Sequence, residues 1–198
     1  MEKKSEFHPV IFLPPGCPVL DLRKGRDPSR KPGEWGIGKY NEKREGMYTT
    51  ELFSGTSAAD ARNIHLGIDL SGPVGTPIHA FSDGEVFLTK YNSATGDYGY
   101  TVITKHLVEG KLLFALHGHL SARSVENKIP GQKIRRGEII AWIGDVHENG
   151  GWDMPHLHFQ ISREAPASCD MPGVAAEAGL DAALKLYPDP RLVLGPLY

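Results

Sequence analysis

Between Ile64 and Ile161 no stretch sustains the 3.6-residue period of a helix; short runs of alternating apolar and polar residues are cut instead by glycine turns. Pro77-Ile78-His79-Ala80, the turn Ser82-Asp83-Gly84 and the alternating Glu85-Val86-Phe87-Leu88 together predict a hairpin. Tyr100 to Lys105 alternates again, Lys111 to Leu116 follows the turn Glu109-Gly110, and Ile139 to Ile143 follows Arg136-Gly137. Two stretches share one design. Gly75-Thr76-Pro77-Ile78 leads to Asp83-Gly84-Glu85-Val86, and Gly131-Gln132-Lys133-Ile134 leads to Arg136-Gly137-Glu138-Ile139. An echo of strand, tight turn and return strand suits a sandwich or barrel-like core. The 23 glycines and 15 prolines agree with such a fold, and 198 residues suffice for one substantial core.

The flanks read differently. Residues 1–47 hold Pro-Pro, Asp-Pro and Lys-Pro steps and many charges without a sustained period, which predicts an arm wrapping the core. Within it Val10-Ile11-Phe12-Leu13 and Val19-Leu20 can each pair as an edge strand, and Ser54 to Arg62 reads as a loop or helical turn. Residues 48–162 form the β domain, and 163–198 a loop, a helix over Val174 to Leu186 and a tail after Tyr187-Pro188-Asp189-Pro190. The expected class is therefore mostly β: an antiparallel sandwich or barrel-like core of glycine-turn hairpins with an N-terminal arm and one C-terminal helix. With a net charge of −2 and Lys and Arg scattered outside a more basic N-terminal third, nothing suggests a nucleic-acid groove, and no nucleic-acid partner is expected. The early apolar run stops at Pro14 and Pro15, too short for a signal-peptide core or a spanning helix, so no membrane partner is expected. As it stands the chain reads as cytoplasmic, and as periplasmic or extracellular if a leader has been removed. Cys17 and Cys169 lie far apart outside any motif and read as reduced, structural cysteines.

Chemistry concentrates in histidine. Five of the nine histidines and one aspartate fall in three short motifs, each in a predicted β region. In Pro155-His156-Leu157-His158-Phe159-Gln160, alternation puts both imidazoles on one face and Leu157 and Phe159 in the core. Neutral imidazole is a common zinc ligand, although a His-x-His pair is also an ordinary surface feature. His65 and Asp69 are separated by Gly67, which argues against a helix; a bend there can present both to one metal, or Asp69 can simply cap a turn. His117-Gly118-His119 closes the strand Leu112 to Leu116, its histidines on one face unless Gly118 permits a bulge. His79 and His106 read as a surface and a structural residue, and His8 and His147 have no motif around them.

Taken in order, His65-x-x-x-Asp69, Gly75-Thr76-Pro77, Asp83-Gly84-x-Val86, Tyr98-Gly99, His119-Leu120-Ser121, Gly131, Gly137 and Pro155-His156-Leu157-His158-Phe159 resemble the lysostaphin/LytM-type zinc metallopeptidases, metallopeptidase family twenty-three, over roughly residues 48–162. The resemblance implies an antiparallel core of the duplicated hybrid motif type with a groove over the metal. It implies that His65, Asp69 and His158 bind Zn²⁺ with a position left open for water and substrate, and that His119 and His156 are catalytic histidines outside the ligand set. Such a metal polarises the scissile carbonyl and lowers the pKa of its water towards about 7. The implied substrate is a peptide, of peptidoglycan type or another. His117 stands where the family often carries an aromatic residue, so an extra imidazole can stand near the metal or, the favoured reading, line the groove. The loop Asn149 to Met154 is richer than the family's turn; Trp152 can wall a subsite and Tyr98 position substrate, or both can serve as packing aromatics. That loop, the C-terminal helix and the Pro-Asp-Pro tail also resemble a subgroup of such domains attached to aminotransferase-like enzymes. The competing readings are a non-catalytic metal-binding or regulatory module on the same fold, and a lipoyl-like carrier, for which no lysine stands at a suitable hairpin tip. Nothing in the sequence sets the oligomeric state.

Overall fold

The computed structural model describes residues 7–54 and 60–198; the first six residues of the arm and most of the polar segment before Arg62 lie outside the described residues. In chain order the strands are β1 (Gly36–Gly38), β2 (Ile64–His65), β3 (Ile68–Ser71), β4 (Pro77–His79), β5 (Gly84–Asn92), β6 (Gly99–Val108), β7 (Lys111–Leu120), β8 (Lys133–Ile134), β9 (Ile139–Trp142), β10 (His156–Ser162) and β11 (Val174–Ala175). Two short helices follow, α1 (Leu180–Leu186) and α2 (Arg191–Leu194). Seven strands make one sheet in the order β1-β3-β10-β7-β6-β5-β8, and every neighbouring pair in it is antiparallel. The fold is thus mostly β with a large antiparallel sheet, as expected. The β6–β7 turn runs through Glu109 and Gly110, both at positive φ (48° and 75°), the primed geometry that matches the twist of paired strands.

The echoing stretches pair with each other, not within themselves. The expected hairpin of Pro77–Ala80 with Glu85–Leu88 does not form: β4 pairs with β9, and β5 pairs with β6 and β8. The chain turns a corner at Phe81, which is fully buried and meets Phe7 edge-on at 5.4 Å. Backbone bonds then run between the two units, from Ala80 N to Glu138 O, Gly137 N to Ala80 O, Val86 N to Gln132 O and Gly131 N to Val86 O.

One face of the sheet forms the core. Ile68, Leu70, Val86, Val102, Ala115, Leu157, Phe159 and Ile161 pack together there, following the alternation in β10 that aims odd-numbered residues inward. The arm closes over the core through Val10 and Ile11, both buried, although neither forms a strand. Among the described residues of the arm the strand is β1, which extends the sheet beside β3, while Val19 makes a bridge to Ile37. His79 is buried, not on the surface: its amide donates to Val10 O and its ring lies against His8 and Phe12 of the arm. The C-terminal helix begins at Leu180. Val174 and Ala175, read as its first turn, are strand β11 paired with β2, because Asn63 and Leu66 need backbone acceptors and find them at Ala175 O and Gly173 O. Cys17 and Cys169 are both free thiols. No helix among the described residues is long and apolar enough to cross a membrane.

His117 does not line a groove. It pairs with Phe159 across β7 and β10, so it points to the core face and packs against that ring at 5.3 Å. Its Nδ1 donates to Val102 O at 3.2 Å, while the buried Nε2 has no hydrogen-bond partner among the described residues. Burial pushes its pKa down to about 3, so the unfolded chain takes up a proton below the ordinary value of 6.5 that the folded chain refuses. This contribution to stability is complete above pH 6.5 and is lost as pH falls towards 3. By linkage, wild type should lose about 2 kcal/mol more than His117→Leu between pH 7 and pH 5. Urea denaturation of both proteins at the two pH values measures the difference; equal losses would mean that His117 is not buried neutral.

Candidate metal centre

Strand register assembles the polar face of the sheet. On β10, His156, His158 and Gln160 point away from the core, and pairing with β3 sets His158 opposite Asp69 and His156 opposite Ser71. His65 comes from β2, held between the arm and β11: its amide donates to Glu42 O, its carbonyl accepts from Asn41 N, and Val174 is its register partner. Gly67, between His65 and Asp69, lets the bend close, since a Cβ there would stand 2.5 Å from His158 Cε1 and 2.9 Å from Phe159 O.

Three donor atoms meet at one point. His65 Nε2 lies 3.0 Å from His158 Nδ1, and Asp69 Oδ1 lies 3.1 Å from each. Hydrogen bonds at the far side of each ring assign the tautomers. His65 Nδ1 donates to Lys39 O at 3.0 Å. His158 Nε2 donates to Gln160 Oε1 at 3.0 Å, and the amide nitrogen of Gln160 is itself committed to Pro172 O. The facing nitrogens therefore carry lone pairs, and three lone-pair atoms stand together in a buried place with no proton between them. That arrangement calls for a cation. Metal bonds of about 2.0–2.2 Å to tetrahedral ligands give edges of about 3.3–3.6 Å, a few tenths of an ångström longer than those observed here. Asp69 Oδ2, turned away from this point, meets Arg44 Nη1 at 2.6 Å.

His119 and His156 stand beside the triad. The alternation expected of β7 breaks at His119, whose φ of +63° turns it to the face opposite His117, so the pair that simple strand periodicity puts on one face is split. The two rings lie 4.4 Å apart, and His156 Nε2 is 3.9 Å from Asp69 Oδ1. Each donates Nδ1–H to a backbone carbonyl at 2.7 Å, His119 to Asn149 and His156 to Met154, so each keeps the Nε2 lone pair for the cleft. Electrostatics keeps these rings neutral. Burial, with help from Arg44, holds His65 down at about 4. Burial also depresses His119, further lowered by His156 and His158, and it depresses His156. For Asp69 burial pushes upwards, but the Arg44 guanidinium at 2.6 Å counters it and the carboxyl stays well below the usual range.

A cavity of about 610 Å³ opens over these residues, with one wall from the arm and the other from residues 166–174. Tyr98 and Trp152 both line it; His117 does not. Tyr98 donates to Met171 O at 2.9 Å, its hydroxyl 3.5 Å from His158 Nε2, and burial raises its pKa well above the ordinary value. Trp152 lies 5.8 Å from the His119 ring and 6.0 Å from that of His156. Fully buried Asn149 orders this loop: its side chain bonds Trp152 O, Gly151 N and Trp152 N, and its carbonyl holds His119. Sequence reasoning missed Arg44, Lys39, Gln160 and Asn149. Gln160 alone carried a signal, standing two residues beyond His158 on the same strand face.

The buried His-Asp-His cluster, which could hold a metal ion, lies under a cleft on an antiparallel sheet with two further histidines beside it. The profile described as Peptidase family M23 matches residues 63–169, and the chain belongs to that family. The sequence is 36% identical over 102 residues to the peptidoglycan DD-endopeptidase ShyC of Vibrio cholerae, covering 49% of this chain and 20% of that protein. It is 34% identical over 97 residues to the DD-carboxypeptidase/endopeptidase Mpg of Neisseria meningitidis, again covering 49% and 20%. The chain thus spans about a fifth of the length of these curated relatives. The catalytic domain of the antimicrobial peptidase lysostaphin from Staphylococcus simulans matches in fold, with a TM-score of 0.53 at 21% identity over 82% of this chain and 93% of that one.

Gly67→Ala tests the geometry without replacing His65, Asp69 or His158. The added methyl group overlaps the His158 ring and the Phe159 carbonyl, so it should cost about 1–3 kcal/mol of stability. It should also weaken divalent-metal affinity by at least about 10-fold. Thermal denaturation and chelator competition report the two effects, and unchanged metal affinity would contradict the placement of His158.

Proposed function

We propose that this chain is a zinc-dependent peptidase or amide hydrolase that cuts its substrate with metal-activated water. The observation that carries the reading is the convergence of three lone-pair donors, His65 Nε2, Asp69 Oδ1 and His158 Nδ1, beside two further histidines with free Nε2 atoms. In this reading His65, Asp69 and His158 hold Zn²⁺, and His119 and His156 are the catalytic histidines. Zinc, when bound, supplies Lewis acidity that polarises the scissile carbonyl and acidifies a water.

The chain's own groups do the rest. Gln160 and Lys39 keep the ligating rings in the tautomers that offer lone pairs. Of His119 and His156, the one that takes the proton of the attacking water then carries Nε2–H and can donate it to the leaving amine nitrogen. Trp152 and Tyr98 border the cleft as substrate-positioning walls. For substrate we propose a peptide of peptidoglycan type, supported by membership of Peptidase family M23 and by relatives described as peptidoglycan DD-endopeptidases. The Trp-bearing loop and the Pro-Asp-Pro tail support, more narrowly, the subgroup of domains attached to aminotransferase-like enzymes.

Metal analysis with hydrolysis assays on stem-peptide and cross-bridge fragments tests the reading. Wild type should hold one zinc per chain, and His158→Ala should lose it. His156→Ala should keep the zinc while losing activity by about 10²–10⁴-fold. A wild type that binds no divalent metal at micromolar concentration would sink the proposal, as would full activity in His156→Ala.

A further inference from the structure

Among the described residues, the largest fully buried polar side chain lies outside the family-matched region. Arg44, in the arm, is 1% exposed, and its guanidinium crosses beneath β1 to reach the metal centre. Nη1 meets Asp69 Oδ2 at 2.6 Å and the Tyr48 hydroxyl at 3.1 Å, Nε meets Glu42 Oε2 at 3.1 Å, and Nη2 donates to Lys39 O at 3.3 Å. Gly38 of β1 makes room for it: a Cβ there would stand 2.8 Å from Arg44 Nη2 and 3.2 Å from Asp69. A buried guanidinium without counter-charge is strongly unfavourable. Here Glu42, which also meets Lys39 Nζ at 3.2 Å, and Asp69 supply the counter-charges, and Asp69 keeps Oδ1 on the side that faces His65 and His158.

We propose that Arg44 is a positioning residue of the metal centre: by occupying Asp69 Oδ2 it presents the carboxylate to the cation through Oδ1 alone, and it makes the arm a structural part of the centre. The proposal rests on reading His65, Asp69 and His158 as the ligands. Asp69 divides its two oxygens cleanly, Oδ2 to Arg44 and Oδ1 to the two imidazoles. A lysine could not reproduce this, because one ammonium cannot reach Asp69, Glu42, Tyr48 and the Lys39 carbonyl with a planar fork's geometry. The same segment grips His65 at three points, through Glu42 O, Asn41 N and Lys39 O. A cation bound between His65 and Asp69 therefore stabilises the docked arm, and a docked arm strengthens the site, by linkage.

The experiment uses the full chain. Zinc affinity is measured by chelator competition for wild type, Arg44→Met, Arg44→Lys and Glu42→Gln, with circular dichroism to check folding. Arg44→Met should weaken zinc binding by about 10–100-fold, the range for partners that orient a metal ligand, and Arg44→Lys should also weaken it. Cobalt(II) gives a signature that a merely structural role would not move: the visible band should be intense in wild type, and weaker and shifted in Arg44→Met as Asp69 gains freedom to use both oxygens. Amide exchange at Asn41 and Arg44 should slow on zinc addition in wild type, and less so in Glu42→Gln. If wild type holds zinc and Arg44→Met binds it equally well or more tightly, the proposal on Arg44 fails while the metal centre stands. A wild type without zinc overturns both. Should Arg44→Met not fold, wild-type affinity and an unchanged cobalt spectrum in Arg44→Lys would overturn the proposal.

Discussion

Two imidazole nitrogens and a carboxylate oxygen stand about 3 Å apart in one buried place, where a positive charge would offset the crowding of their lone pairs, and much of the surrounding structure fixes these three groups. Each ring is fixed from behind by an acceptor, Lys39 O or Gln160 Oε1, which sends its proton away from the centre. Gly67 has no side chain because the imidazole of His158 fills that space. The arm contributes the acceptor for His65 and the guanidinium for Asp69. Most of the polar face of the sheet is thus arranged to hold three atoms in place.

Glycine turns and short alternating runs made the antiparallel core readable, because strand period and turn chemistry are local properties. The partners of those strands were less legible. Nothing local distinguishes a hairpin of β4 with β5 from the observed exchange of β4 with β9 and β5 with β8, since the choice depends on how Phe81 packs at the corner. Val174 and Ala175 fit a helical pattern as well as a strand, and the backbone needs of residues 63–66 decided between them.

The candidate site shows the same division. His65, Asp69, His119, His156 and His158 stood out as motifs and come together in space. His117 read as their companion until the positive φ of His119 inverted the strand between them. Arg44 was invisible for a different reason. It sits in the charged run Asn41 to Gly46, and a run of that composition ordinarily reads as solvated surface. Only the tertiary structure shows that two carboxylates surround it.

The exchange of strands between the two echoing units bears on how the chain reaches this state. β5 finds β6 as its immediate neighbour in sequence, but β4, and the edge of β5 that meets β8, wait for partners that follow about fifty to sixty residues later. Contacts of such long sequence separation delay the rate-limiting step of folding. During synthesis His65 and Asp69 emerge well before β10 brings His158 opposite Asp69, so the His-Asp-His cluster is complete only once the strand that follows most of the sheet has docked.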